Sequence, residues 1–212
     1  MRAAPWASDA QGLGAATAAL ARGEVVGFPT DTVYGLAASA RDRGACRRLS
    51  AIKGRSGSQP LILMAATLEA MAGFVVWSPA ALDFARRFWP GPLTLVLVAG
   101  PLGGSLGGGA TLGVRIPDHP IARRLLEQGG PLATSSANRH QLAPAADAEA
   151  ALRDLPGLGG ALADPAPARL GAAPSSILDL TQEQPVLLRE GALSAAQLGI
   201  SATEKLPGSR RD

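Results

Sequence analysis

Short apolar runs alternate with amphipathic segments through the first two-thirds of the chain, and this alternation restricts the fold more than any other feature. Short runs bounded by Gly or Pro are typical of buried strands, whereas apolar residues repeating every three or four positions indicate helices. Strands are predicted at residues 25–28, 61–65, 93–98, 111–116, 131–134, 161–163, 177–180 and 186–188. Helices are predicted at 9–22, 42–52, 121–128 and 146–155, and two more begin at Thr67 and Ser78. The pattern predicts a mixed, twisted α/β sheet with helices packed on it.

Two local signals add detail to this prediction. Ser8 is followed three residues later by Gln11, which is the spacing of a capping box, so the first helix is predicted to begin after Ser8. Residues 100–109 contain six glycines and are predicted to form a mobile loop.

The totals indicate one soluble domain. The chain has 212 residues, and we assign residues 9–198 to the domain and 199–212 to a short flexible tail. The single Cys46 leaves no partner for an internal disulfide and excludes a cysteine-rich metal site. The first residues lack the apolar core of a signal peptide, and no apolar run approaches the ~20 residues of a membrane span. We expect a cytoplasmic protein.

Lysine is rare in this chain, although the formal net charge is +3. Of the 20 basic residues only Lys53 and Lys205 are lysines, and Lys205 lies in the predicted tail. Lys53 and Arg55 stand two residues apart in a glycine- and serine-rich loop, where an ammonium and a guanidinium can together hold a polyphosphate. No P-loop and no Gly-x-Gly-x-x-Gly motif occurs, and His119 and His140 lack ligand-spaced partners for a metal.

Polar side chains recur at the ends of the predicted strands, which suggests one shared cleft. Arg115 interrupts an apolar strand, and a buried arginine is costly unless it is paired. Its partner could be an acid of the chain, such as Asp118, or a ligand carboxylate, which we favour. The other candidates offer hydroxyls and an amide without a charged base nearby, which suits hydrogen bonding to a substrate: Thr30, Ser135, Ser136, Asn138, Ser175 and Ser176.

Seven segments resemble the YrdC-like family of threonylcarbamoyl-AMP synthases. They occur in the family's order and extend over about residues 9–198. The segments are PTDTVYGL at 29–36, KGR at 53–55, WPGPLT at 89–94, GVRIPDHP at 113–120, SSAN at 135–138, PSSI at 174–177 and LREG at 188–191.

The resemblance implies a fold and a reaction. The fold would be a single-domain, twisted mixed sheet with flanking helices and a concave, positively charged cleft. The enzyme would be a nucleotidyltransferase that converts L-threonine, bicarbonate and ATP into threonylcarbamoyl-AMP and pyrophosphate, with Mg²⁺ brought by ATP and no tightly bound organic cofactor. Its product would pass to separate transferase proteins that modify tRNA, and contact with tRNA or double-stranded RNA is a further expectation.

The resemblance also implies residue roles. Lys53 and Arg55 would bind the ATP phosphates and act in catalysis. Threonine would be bound by Thr30, Arg115, Thr134 and Ser175, whereas the nucleotide side would be lined by Thr111, Ser136, Asn138 and Arg189. No protein-held metal is implied.

Two departures and one alternative remain. Ser56 stands where the family usually has proline, and residues 139–141 replace the usual Ser-Gly, so both departures fall near the nucleotide. The alternative is an RNA-binding module that uses the same basic cleft without catalysis. Aromatic residues make up only 4% of the chain, and RNA-binding modules usually stack bases on aromatic side chains, so we favour the enzyme.

Overall fold

Nine strands form one mixed sheet in the order β7-β1-β2-β6-β3-β5-β4-β8-β9. The computed structural model describes residues 4–54, 60–106, 109–139, 141–166 and 173–200. The strands are β1 Val26–Phe28, β2 Gly35–Ser39, β3 Ile62–Met64, β4 Leu93–Val98, β5 Thr111–Arg115, β6 Leu132–Ser136, β7 Gly160–Ala161, β8 Ser176–Asp179 and β9 Val186–Arg189. Parallel and antiparallel pairs both occur, as the sequence predicts.

Helices flank the sheet and follow most of the predicted positions. They are α1 Ala10–Ala21, α2 Arg43–Ile52, α3 Pro79–Phe88, α4 Pro120–Gly129, α5 Ala148–Asp154 and α6 Ala195–Leu198. In the part of the chain that the structure describes, no helix is long and apolar enough to cross a membrane.

The core forms two clusters because successive strand residues point to opposite faces. The smaller cluster joins α1 and α4 to strand residues such as Phe28, Met64 and Leu132. The larger cluster lies on the other face and includes Leu63 and Ala133, the immediate neighbours of Met64 and Leu132 in sequence.

Three local predictions are corrected. The N-cap of α1 is Asp9, whose side chain accepts a hydrogen bond from the Gly12 amide, so the capping box at Ser8 is not used. The helix predicted after Thr67 is a single 3₁₀ turn, Glu69–Met71. Within the described part of the predicted glycine loop, residues Gly103–Leu106 form another 3₁₀ helix.

The sequence analysis missed strand β2 and the short helix α6. Strand β2 pairs antiparallel with β1 on one side and with β6 on the other. Gly35, Ala37 and Ala38 have low β propensity, so this strand depends on pairing with its neighbours rather than on its own sequence. The domain limit at 198 and the flexible tail stay predictions, since residues 201–212 lie outside the described residues.

Candidate active site

Polar site residues share one face of the sheet. Met64 pairs with both Leu132 and Arg115, so these three side chains project to the same side. Thr134 and Ser136 follow Leu132 at two-residue steps and therefore join that face. These residues do not all lie at one end of the sheet, because β5 runs antiparallel to β6 and Arg115 is level, through Met64, with the first residue of β6. A common face, not a common end, brings them together.

Arg115 lies at the centre of the first group of contacts and is only 2% exposed. Its guanidinium donates to the Gly91 carbonyl and to Thr32 Oγ1, both at 2.9 Å, and to Asp31 Oδ1 at 2.5 Å. The charge partner in the folded chain is therefore Asp31, whereas the sequence analysis favoured a ligand carboxylate and named Asp118 as the acid. The partner could not be read from spacing, because Asp31 is 84 residues away.

The same guanidinium still has hydrogen-bonding capacity. Arginine carries five N–H donors, and the described contacts use three of them, which leaves two for a ligand. Burial lowers the pKa of Arg115, and the charge and hydrogen bond of Asp31 oppose that shift. Asp31 Oδ2 is buried and has no hydrogen-bond partner among the described residues. Two donors beside a carboxylate oxygen suit the carboxylate and amine of an amino acid.

The loop between β1 and β2 forms one wall of a cleft of about 1070 Å³. Thr30 lines this cleft, and its hydroxyl donates to the Val33 carbonyl at 2.7 Å. Other lining residues come from four segments, at 90–92, 118–120, 143–147 and 164–166. Four aspartates are among the lining residues: Asp31, Asp118, Asp147 and Asp164. The positive charge that the resemblance implies for the cleft stays a prediction.

Two contacts join the segment after β7 to other parts of the cleft. His119 Nε2 lies 3.1 Å from Asp164 Oδ2. The Tyr34 hydroxyl donates to the Leu162 carbonyl at 2.7 Å, and its pKa is raised by burial and then by the charges of Asp147 and Asp164. The described partner of the His119 ring is therefore Asp164.

Ser175 forms the second group with Thr94 and Arg189. The hydroxyls of Ser175 and Thr94 lie 2.9 Å apart, and both residues are buried. Arg189 donates to the Ser175 carbonyl from Nη2 at 2.7 Å and from Nε at 3.1 Å. Burial lowers the pKa of Arg189, and the nearby charge of Arg115 lowers it further. The structure thus places Arg189, predicted on the nucleotide side, in contact with Ser175 and within the electrostatic influence of Arg115, which were both predicted on the threonine side.

Lys53 organises the third group of contacts and is fully buried. It is the C-cap of α2, and its Nζ donates to Asn138 Oδ1 and to the Asn138 carbonyl, both at 2.8 Å. The Ser136 carbonyl accepts a further hydrogen bond from the same ammonium, and Ser136 Oγ lies at 3.5 Å. The predicted nucleotide residues Lys53, Ser136 and Asn138 are therefore brought together.

The amide of Asn138 makes every hydrogen bond that it can. Its Oδ1 accepts from Lys53 at 2.8 Å and from Ser136 Oγ at 2.5 Å. Its Nδ2 donates to the Arg139 and Leu142 carbonyls at 3.0 and 2.6 Å. An asparagine amide offers two acceptor sites and two donors, so the side chain is saturated. It fixes the lysine on one side and the turn at 138–142 on the other.

Sheet pairing joins the Lys53 group to the cleft. Gly35 pairs with Ser136, and the Ala137 amide donates to the Tyr34 carbonyl at 2.8 Å. Backbone hydrogen bonds therefore connect the loop that carries Thr30 and Asp31 to residues 136–138, which bind the Lys53 ammonium.

The remaining predicted residues are less closely connected. Thr134 is buried between the groups, and its hydroxyl donates to the Ile62 carbonyl at 3.0 Å. Thr111 begins β5 opposite Val98, and within the described residues its side chain makes no hydrogen bond. Arg55, Ser56 and His140 lie outside the described residues, so the phosphate grip predicted for Lys53 and Arg55 together is not observed directly.

Four contributors were absent from the predicted site residues, namely Asp31, Thr32, Gly91 and Thr94. All four lie inside segments that carried the family resemblance, at 29–36 and 89–94. Their position in those segments was the available signal, but their partners are distant in sequence and only the fold shows them.

Comparison with known proteins decides the family. The Sua5_yciO_yrdC family model, described as telomere recombination, matches residues 18–191. The chain belongs to the Sua5/YciO/YrdC family. Membership agrees with the seven matched segments and with the nine-stranded mixed sheet.

Several proteins of the Sua5/YciO/YrdC family are similar over much of the chain. A Mycobacterium leprae protein is 40% identical over 192 residues, which are 89% of this chain and 87% of that protein. A Bacillus subtilis protein named threonylcarbamoyl-AMP synthase is 37% identical over 188 residues, and the match covers 86% of this chain but only 54% of the relative. A Halorhodospira halophila protein with the same name is 38% identical over 168 residues, 74% of this chain and 88% of the relative.

Solved structures of the family agree with the fold. Pyrococcus abyssi Sua5 complexed with L-threonine has a TM-score of 0.83 and 36% identity, and the match covers 90% of this chain and 57% of that one. Escherichia coli YciO has a TM-score of 0.75 at 24% identity, which shows the fold alone.

Proposed function

We propose that this chain is a threonylcarbamoyl-AMP synthase, a nucleotidyltransferase that acts on L-threonine, bicarbonate and ATP. The observation that carries the proposal is the Arg115 group. Within the described residues, a buried guanidinium with two N–H groups left over lies beside Asp31, which lines a large cleft and has one carboxylate oxygen without a partner there. Relatives named for this activity, and a relative complexed with L-threonine, support catalysis over a role in RNA binding alone.

The proposed reaction has two bond-forming steps. The amine of threonine forms an N–C bond with the carbon of bicarbonate, and water leaves. A carboxylate oxygen of the resulting carbamate then attacks the α-phosphorus of ATP, and pyrophosphate leaves with the electron pair of the broken P–O bond. Neither step needs a covalent enzyme intermediate, which fits a site made of hydroxyls, amides and cations.

In this reaction the protein would position the two substrates and neutralise their negative charges. In our proposal Arg115 holds the threonine carboxylate through its two remaining N–H groups, with Thr30, Thr134 and Ser175 nearby. Two unit charges of the same sign at ~4 Å repel by about 4 kcal/mol at an effective dielectric of 20. The positive fields of Lys53, Arg55 and Arg189 would offset that repulsion, and Thr111, Ser136 and Asn138 would line the nucleotide side.

We propose that Mg²⁺ arrives with ATP rather than in a protein site. Mg²⁺ usually keeps several waters and binds through substrate phosphates with few protein ligands. In the described ranges, no group of three or more His, Cys, Asp or Glu side chains is placed to hold a metal ion. When bound, the ion would neutralise part of the phosphate charge. We propose that the enzyme has no tightly bound organic cofactor.

We further propose that the product passes to separate transferase proteins that modify tRNA. Contact with tRNA or double-stranded RNA, and a cytoplasmic location, belong to the same proposal. They rest on the family resemblance and on the names of the relatives.

The decisive variant is Lys53→Ala, tested by threonine-dependent release of pyrophosphate from ATP. Loss of a preorganised cation from a site of developing charge costs about 10²–10³-fold in rate, so we expect that release to be abolished. Because Lys53 is buried, Lys53→Met is made in parallel to keep the aliphatic stem without the charge. Full activity in a folded Lys53→Met protein would exclude the assignment.

A further inference from the structure

A second pocket, of about 370 Å³, opens beside the C-terminal end of α2 and is not part of the cleft described above. Its lining residues are Ala51, Ile52, Lys53, Gly54, Arg139 and Pro156. The pocket is thus lined both by Lys53, which the resemblance assigns to the phosphates of ATP, and by Arg139 from the turn at 138–142. No role was assigned to that arginine by the motifs.

Lys53 cannot contact a phosphate in the observed arrangement. An ammonium has three N–H groups, and the carbonyl of Ser136 and two oxygens of Asn138 accept hydrogen bonds from Nζ. Its exposure is 0%. The lysine therefore contributes a positive field to the pocket, whereas a direct hydrogen bond to a ligand would require the loss of an existing one.

Arg139 is placed to make the direct contact. It is exposed, and no described residue accepts a hydrogen bond from its guanidinium or pairs with its charge. Its backbone is fixed, because its carbonyl accepts from Asn138 Nδ2 and from the Leu142 amide, both at 3.0 Å. The saturated amide of Asn138 thus connects the lysine and the arginine rigidly.

An alternative role for Arg139 is to cap α2. The last carbonyls of a helix carry partial negative charge, and a nearby cation is favourable there. In the described residues, however, the guanidinium donates to none of these carbonyls. A planar guanidinium without a partner among the described residues, carried by a turn with a fixed backbone, is suited instead to bidentate binding of phosphate oxygens.

We propose that Arg139 binds the terminal phosphates of the nucleoside triphosphate in this pocket, while Lys53 and Asn138 hold the surrounding turn. This inference rests on the proposed synthase function. It assigns a direct phosphate contact to a residue that replaces the usual family sequence after the Ser-Ala-Asn run.

The test is calorimetric binding of ATP and AMP to Arg139→Gln and Arg139→Lys. Loss of one charge-assisted hydrogen bond corresponds to about a tenfold or larger change in affinity. We expect Arg139→Gln to bind ATP at least about tenfold more weakly and AMP as tightly as the wild type, with partial rescue in Arg139→Lys. The matched control is Arg86→Gln, which removes one exposed arginine from α3 and lines neither pocket.

Each outcome separates the two proposals. If Arg139→Gln binds ATP like Arg86→Gln, or loses ATP and AMP affinity equally, the role of Arg139 is wrong while the synthase function stands. If the wild type binds no ATP and releases no pyrophosphate with threonine, both proposals fail. Thermal unfolding confirms that each variant is folded before binding is measured.

Discussion

At Arg115 the chain buries a guanidinium and supplies one carboxylate, from Asp31, to balance it. Arg115 is 2% exposed and the Asp31 side chain 13%, so neither charge is well solvated. Removal of either member of such a pair leaves an uncompensated charge in the interior. Asp31 therefore matters for stability as well as for the site.

Replacement of Asp31 tests this dependence. Loss of one member of a buried ion pair costs about 3–5 kcal/mol, so we expect Asp31→Ala to lower the free energy of unfolding by that amount. Asp31→Asn keeps an acceptor for Arg115 and should cost less. Urea denaturation gives the comparison.

The control for Asp31 is an exposed ion pair of the same chain. Asp83 pairs with Arg87 at i,i+4 on α3, and its side chain is 63% exposed. Exposed pairs contribute about 0–1 kcal/mol, so Asp83→Ala should be nearly neutral. Equal effects of Asp31→Ala and Asp83→Ala would contradict the buried-pair interpretation.

The chemical types of the site residues were predictable, but their partners were not. A lone mid-chain lysine and an arginine inside an apolar strand identified Lys53 and Arg115 without any coordinates. The acceptors of Lys53 lie 83 and 85 residues away, and the carboxylate of Arg115 lies 84 residues away. Such contacts depend on strand order, which spacing along the chain does not contain.

Among the elements, apolar strands were predictable and β2 was not. Strand β4 was predicted at the residues observed, because Leu93–Val98 is an unbroken apolar run apart from Thr94. Strand β2 reads Gly-Leu-Ala-Ala-Ser and has no such signal. Its extended backbone is stabilised by hydrogen bonds to β1 and β6 on both sides.

The first helix provides a test between a sequence prediction and the structure. Sequence spacing predicts Ser8 as the cap, whereas the structure shows Asp9 accepting from the Gly12 amide at 2.9 Å. Removal of an N-cap acceptor costs about 1 kcal/mol, so we expect Asp9→Ala to lower the free energy of unfolding by that amount and Ser8→Ala to leave it nearly unchanged. Urea denaturation measures both losses. A larger loss for Ser8→Ala than for Asp9→Ala would support the capping box instead.

At the scale of the whole molecule, the groups of polar contacts lie on one sheet. Ligand binding at any of them should therefore change the stability of the whole domain. The Lys53 group and the loop that carries Asp31 are joined by the pairing of β2 with β6. The core continues through the same strands. A ligand bound at either group therefore stabilises the entire domain, since it binds the folded state and not the unfolded one.

Threonine at 100 times its Kd should stabilise the fold by about 2.7 kcal/mol. For a chain of this size each kcal/mol raises Tm by about 2–4 °C, so we expect a rise of about 5–10 °C. L-Serine at the same concentration should raise Tm less, because a pocket that senses one methyl discriminates by only ~1–3 kcal/mol. Lys53→Met should lose the additional rise with ATP and keep the rise with threonine, because Arg115 and Asp31 do not contact Lys53 directly. Loss of the threonine shift in Lys53→Met would show that threonine is not held by the Arg115 group, and equal shifts with serine and threonine would show that the pocket does not sense the methyl group.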